Sequence, residues 1–169
     1  MNQLEQFRQI KAFVFDVDGV LTNNEVLILE DGKLLRKMSI RDGYAIKRAV
    51  QEGYRICVIT GGNSEGVRER LQDLGVTDIY MDRQDKMEAY EDFIDLHELD
   101  EGTVLYMGDD IPDYPVMRKV GLPACPVNAA PEVLQIAQYV SPYQGGEGCA
   151  RDVIEKVLRL QGKWPEGPW

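Results

Sequence analysis

The chain has 169 residues, 44% hydrophobic and 28% charged, which suits one soluble domain with a real core and excludes collagen-like, low-complexity and wholly disordered chains. Its 29 acidic against 19 basic side chains leave a formal charge of -10, with no basic stripe to meet a run of phosphates, so nucleic acid is not expected as a partner. The longest apolar stretches fall far short of the ~20 residues a bilayer requires, and residues 1–10 carry no signal pattern, so a cytoplasmic protein without membrane contact is expected.

In chain order, the apolar run 12–15 reads as a first strand. Residues 25–29 and 33–40 resemble two strands joined through Asp31-Gly32, a hairpin turn signal, so a β-hairpin is expected as an insertion over about 25–40. Further strands are predicted at 54–59, 79–81, 104–107, 123–127 and 139–140, and helices at 43–51, 64–74, 86–96, 113–120 and 131–137, from apolar residues three and four apart. The alternation implies an α/β fold: a doubly wound parallel sheet covered on both faces, with ligands at the carboxyl ends of its strands. No gap could hold a second domain, so residues 1–169 read as one. The end 161–169, rich in Gly, Pro and Trp, reads as a mobile or partner-docked tail.

Cys57, Cys125 and Cys149 are odd in number and widely spaced, and read as reduced thiols rather than a disulfide framework or zinc knuckle. His97 is the only histidine and follows a helical run, so it reads as a structural residue. Serine triads, histidine phosphatases and multi-histidine metal centres are thereby set aside. Carboxylates, hydroxyls and lysine must carry any chemistry.

Asp16-Val17-Asp18-Gly19 places two carboxylates where the first strand ends. An isolated pair of this kind is an ordinary turn cap. A second cluster, Gly108-Asp109-Asp110-Ile111-Pro112-Asp113, follows the strand 104–107 and would open toward the same sheet edge. So much negative charge around one point is costly, and a hard divalent cation such as Mg²⁺ would relieve it. Thr60-Gly61-Gly62-Asn63-Ser64, between a strand and a helix start, offers a hydroxyl and free N–H groups for a phosphate, and also fits a plain capped turn. Lys86 opens the helix after the strand 79–81, where it could hold both a carboxylate and a phosphate oxygen.

Asp16-x-Asp18-Gly19-x-x-Thr22, Thr60, Lys86 and Gly108-Asp109-Asp110-x-x-Asp113 resemble the four ordered motifs of the haloacid dehalogenase superfamily over about residues 12–151. The resemblance implies a Rossmann-like fold, Asp16 as nucleophile and Asp18 as general acid/base. It implies Thr60, Gly61 and Lys86 at the phosphate. Mg²⁺ would be held by Asp16, the main-chain carbonyl of Asp18 and Asp109, with Asp110 and Asp113 as supporting acids. Only the hairpin stands where most members carry a cap domain, so the chain resembles the capless subclass. Arg41-Asp42-Gly43-Tyr44-x-Ile46, Val120-Gly121-Leu122 and Gly145-Gly146-x-Gly148-x-x-Arg151 resemble, more narrowly, the 3-deoxy-D-manno-octulosonate 8-phosphate phosphatases of lipopolysaccharide precursor synthesis. That family implies a homotetramer whose hairpins meet at the centre and whose neighbouring subunits complete each site, with the tail approaching an adjacent one, and it places Arg70 at the substrate carboxylate.

After Thr60-Gly61 many octulosonate phosphatases have arginine and the related 2-keto-3-deoxynonulosonate 9-phosphate phosphatases have glutamate; this chain has Gly62, and the missing glutamate favours the eight-carbon substrate. The alternatives are the nine-carbon phosphatase, a non-catalytic assembly module of the kind appended to sugar-acid cytidylyltransferases, and a phospho-accepting receiver domain. The module has no need of the full acidic set found here. A receiver would carry its accepting aspartate after the third strand, where Met81-Asp82-Arg83 lacks the surrounding pattern.

Overall fold

Alternation along the strands decides the layering. The structure, a computed structural model, describes residues 1–166. Its strands are β1 (Ala12–Phe15), β2 (Leu27–Ile28), β3 (Leu34–Leu35), β4 (Arg55–Ile59), β5 (Asp78–Tyr80), β6 (Val104–Met107), β7 (Leu122–Pro126) and β8 (Tyr139–Ser141). Its helices are α1 (Gln3–Gln9), α2 (Ile40–Gln51), α3 (Glu65–Asp73), α4 (Lys86–Leu96), α5 (Tyr114–Met117), α6 (Pro131–Ile136) and α7 (Cys149–Leu160). Six strands form one parallel sheet in the order β5-β4-β1-β6-β7-β8, and β2 and β3 pair separately as an antiparallel hairpin. The doubly wound parallel sheet and the hairpin after the first strand are both as expected.

Phe13 and Phe15 of β1, with Ile56, Val58, Leu105 and Met107, face a core completed by α1, α2, α3 and α7. Ala12 and Val14, with Cys57, Ile59, Val104 and Tyr106, face a second core under α4, α5 and α6. Strands buried on both faces read as continuous apolar runs, which is why they were legible. The chain order reverses on either side of β1, so the carboxyl ends of β1, β4 and β6 border the crevice where such sheets bind ligands.

Side-chain caps set the helix starts: Ser39 accepts from the Asp42 N–H, Ser64 from Val67 and Asp85 from Met87. Ser39 draws Ile40 into α2, so the second hairpin strand, expected to reach residue 40, ends at Leu35. Both hairpin strands are two residues long, closed by Gly32 at φ 86°. Helices α1 and α7 add to the predicted set. Gly148, before α7, offers no capping side chain, and Asp42 of α2 substitutes for one: its Oδ1 accepts the Arg151 N–H at 2.9 Å. Burial holds the Asp42 carboxyl at about 6, the N–H groups of Arg151 and Gly148 offsetting only part of the desolvation.

The tail expectation is corrected within the described residues. Gln161 donates to the carbonyls of Phe7, Arg8 and Ile10. Trp164 is buried edge-on to Tyr44, with the guanidinium groups of Arg151 and Arg159 5.3 and 5.8 Å from its ring centre. Residues 161–164 therefore dock on their own chain through aromatic and cation–π contacts. Of the rest of that expectation, Pro165 is half-buried and Glu166 exposed, and residues 167–169 lie outside the described residues. His97 ends α4 and pairs with Asp78 at 2.9 Å, a structural role as expected. All three cysteines are buried and free. Among the described residues, no helix is long and apolar enough to cross a membrane.

Candidate active site

Backbone geometry at the strand ends brings the acidic clusters together. Gly19 has φ 90°, and a Cβ there would lie 1.9 Å from Asp109 Oδ2, so the loop after β1 meets Asp109 only because residue 19 has no side chain. The Gly145-Gly146 segment supports the same loop from behind: Gly146 N–H donates to the Val20 carbonyl at 2.9 Å, and a Cβ on Gly145 would strike the Gly19 carbonyl oxygen. At the end of β6, a Cβ on Gly108 would lie 2.4 Å from Asp113, whose side chain folds back over that position.

Asp113 is a brace. Its Oδ2 accepts the N–H groups of Asp109 and Asp110 at 2.9 and 3.3 Å, and its Oδ1 accepts from Lys86 Nζ at 2.7 Å and Tyr106 Oη at 2.6 Å. Lys86, the first residue of α4, also reaches Asp16 Oδ1 at 3.0 Å, and that oxygen accepts the Val17 N–H at 2.7 Å. Asp16, Asp109, Asp113, Thr60 and Lys86 are all buried. Asp110 is exposed and caps the turn Ile111–Asp113.

One cation faces several buried carboxylates, and the protonation equilibria show it. Burial, with Asp113 next, pushes the Asp16 carboxyl well above the usual carboxylate range despite Lys86. Burial, with Asp113 and Asp110, raises Asp109 to about 7. Burial alone would lower the Lys86 ammonium, but Asp16 and Asp113 outweigh it and raise it.

One oxygen each of Asp16, Asp109 and Asp113 lie within 4.8 Å of one another, a set that fits a hard cation. Both Asp113 oxygens are already taken by donors, so Asp16 and Asp109 are the carboxylates left to hold it. Four donors on Asp113 and one lysine do not neutralise this pocket; a divalent ion held there would supply the missing charge.

These residues line a cleft of about 300 Å³ with Asp18, Thr60, Gly61, Gly62 and Arg83. Thr60 Oγ1 accepts the Gly62 N–H at 3.1 Å, which aims the hydroxyl along the turn. Asp18 is gripped by Arg36 of the hairpin, Nε to Oδ1 at 2.6 Å and Nη2 to Oδ2 at 3.2 Å. Of the residues singled out from sequence, Asp16, Asp18, Thr60, Gly61, Lys86, Asp109, Asp110 and Asp113 meet here. Arg70 does not line this cleft. It stands six residues beyond Ser64, roughly 9 Å along α3, and its guanidinium turns onto α2, where a Cβ on Gly43 would come within 2.7 Å of it. A larger groove of about 670 Å³ between Ser39 and α7 is lined by Arg41 and Glu147 and by charges that already pair, Arg151 and Arg159 with Glu155 and Lys156 with Asp152.

Arg36, Tyr106 and Arg83 were missed from sequence. Tyr106 lies in a strand and read as core. Nothing in the local pattern distinguishes Arg36 from the other basic residues of the hairpin.

A model of haloacid dehalogenase-like hydrolases matches residues 74–152. The 3-deoxy-D-manno-octulosonate 8-phosphate phosphatase KdsC of Escherichia coli is 35% identical over 157 residues, 93% of this chain and 84% of that protein. The crystal structure of the same-named phosphatase from Yersinia pestis superimposes with a TM-score of 0.92 at 32% identity, covering 95% of this chain and 86% of that one. The Moraxella catarrhalis enzyme, solved with magnesium, phosphate and a KDO molecule, gives 0.90 at 27% identity over 94% of this chain and 91% of its own. The chain therefore belongs to the 3-deoxy-D-manno-octulosonate 8-phosphate phosphatase family of haloacid dehalogenase-like hydrolases.

Proposed function

We propose that this protein is a Mg²⁺-dependent phosphatase that hydrolyses 3-deoxy-D-manno-octulosonate 8-phosphate to the free sugar acid and phosphate. The observation that carries the reading is Lys86 bridging Asp16 and Asp113 beside Asp109, at the strand ends where Thr60 also sits. In this reading Asp16, steadied by Lys86 and the Val17 N–H, attacks phosphorus in line. Asp18 gives a proton to the departing sugar oxygen, then takes one from the water that hydrolyses the acyl phosphate on Asp16. Thr60 and Lys86 hold the phosphate oxygens. Mg²⁺, held by Asp16, Asp109 and the main-chain carbonyl of Asp18, offsets repulsion between phosphate dianion and carboxylate when bound.

Residues 1–169 act in this proposal as one phosphatase domain, in the cytoplasm, where buried free thiols are expected. The hairpin supports assembly into a tetramer: Leu27, Ile28, Leu34 and Leu35 are all exposed on strands that pair with nothing else. Replacing Leu27 and Leu35 together by lysine is expected to reduce the sedimenting species from four chains to one, and an unchanged tetramer would contradict this interface.

The activity is tested by phosphate release from the eight-carbon substrate and from 2-keto-3-deoxynonulosonate 9-phosphate, with Mg²⁺ or with chelator. The eight-carbon ester is expected to give the higher kcat/KM, and chelation to lower it by at least about 100-fold. Preference for the nine-carbon ester, or no release from either, would overturn the assignment. Because Asp109 holds its proton up to about 7, metal binding must displace it. Apparent magnesium affinity, read by calorimetry, should therefore rise between about pH 6 and pH 8.

A further inference from the structure

The hairpin is joined to the rest of the chain by little besides one ion pair. Its strands lie outside the main sheet and their residues are exposed. Met38, at the exit, packs on the core. Among the described residues, no other hydrogen bond or ion pair links residues 26–38 to the remainder of the chain than the two contacts from Arg36 to Asp18. The pair is a fork on a carboxylate, the geometry that fixes both oxygens in one plane. The Arg36 side chain is only 9% exposed against 38% for Asp18, so the guanidinium lies behind the carboxylate and leaves it facing the cleft. Gly62 leaves room for it: a Cβ there would be 3.1 Å from Arg36 Nη2.

We propose that Arg36 is a positioning residue that fastens the hairpin to Asp18 and thereby orients that carboxylate toward the leaving oxygen. The inference rests on the phosphatase reading above. Arg36 itself is not among the residues that line the cleft. Seating of the hairpin and alignment of Asp18 become a single event, so a subunit whose hairpin is displaced keeps Asp16, Lys86 and Asp109 in place but loses aim at the leaving group.

The test separates leaving groups. An alkyl phosphate such as the sugar-acid ester needs a proton delivered as it departs, whereas 4-nitrophenyl phosphate departs without one. Relative to the native chain, Arg36→Met is expected to lower kcat/KM, which reports the steps through departure of the leaving group and not the shared hydrolysis of the acyl phosphate, by at least about tenfold on the alkyl ester and by less than about threefold on 4-nitrophenyl phosphate. Arg36→Lys, which keeps charge without the fork, should fall between. Gly62→Val, crowding the guanidinium from the other side, should reproduce the bias toward the aryl ester. Sedimentation of each variant shows whether assembly is intact. Equal losses of kcat/KM on both esters, or none on either, in an assembled Arg36→Met protein would overturn the proposal. A native chain inactive on the sugar-acid ester but active on other alkyl phosphates would overturn only the substrate, and the same comparison on those esters would still test Arg36.

Discussion

Asp16→Asn is expected to lower kcat/KM on the sugar-acid phosphate by about 10,000-fold or more, because it removes the attacking oxygen and leaves no replacement within the cleft. Asp109 could not take its place. Its oxygens pack against Gly19, and its backbone is tied by Asp113. The substitution is nearly isosteric, and the amide oxygen can still accept from Lys86 and the Val17 N–H, so the fold should persist. It also removes a buried carboxyl that burial pushes well above its ordinary range. Thermal stability should therefore hold or rise while turnover disappears. Steady-state kinetics beside circular dichroism melts check both halves; a variant retaining a hundredth of native activity would contradict the assignment of Asp16.

Lys86→Met is expected to be the most damaging change to stability. Lys86 is buried between Asp16 and Asp113, and removing one partner of such a group leaves uncompensated charge, at a cost of about 3–5 kcal/mol. The raised pKa of the lysine means that its contribution is present at neutral pH and is lost only as pH rises through its folded value. Without it, the Asp16 carboxyl, already raised by burial, moves further up. Folding then disfavours its ionised form, and protonation relieves the penalty. The deficit against the native chain should therefore be largest near pH 8 and shrink toward about pH 5. Urea titrations at both pH values, with chelator present, measure it. A deficit that grows as pH falls would show that the lysine does not serve these carboxylates.

Much of the site was legible because its residues follow buried parallel strands. The runs ending at Phe15, Ile59 and Met107 identify themselves by continuous apolarity, and the polar residue after each, Asp16, Thr60 and Asp109, is then placed at one edge by topology alone. Lys86 needed the order of the strands as well, since a lysine at a helix start has no distinguishing local sign. The part that was not legible depends on contacts remote in sequence. Arg36 meets Asp18 only after the hairpin folds back over 18 positions. Asp113 read as one more acid, whereas its four donors make it the brace for Lys86 and for the loop that carries Asp109. The Gly145-Gly146 segment carried a family likeness in sequence, and its physical reason lies 126 residues away, where it supports the Gly19–Thr22 turn.

Helix α7 shows the same division. Its apolar positions Cys149, Ala150, Val153, Ile154, Val157 and Leu158 recur at helical spacing, a signal present in the sequence and passed over. Its start is marked by a glycine because the capping carboxylate, Asp42, arrives from α2. The hairpin failed in the other direction. Residues 33–40 resemble one long strand after the Asp31-Gly32 turn, but strand pairing ends at Leu35 and Ser39 caps α2. Local capping, worth about 1 kcal/mol, outweighed an exposed strand that has only the two-residue β2 to pair against.

The central claim is that Asp16 takes the phosphoryl group. The direct measurement is borohydride trapping during turnover of the sugar-acid phosphate with Mg²⁺, followed by peptide mass spectrometry, since an acyl phosphate is reduced to an alcohol and a free carboxylate is not. Reduction of residue 16 to homoserine, in amounts that track the steady-state burden of intermediate and vanish without substrate, is the predicted result. Reduction at Asp18, Asp109 or another carboxylate, with Asp16 intact while phosphate is being released, would contradict it.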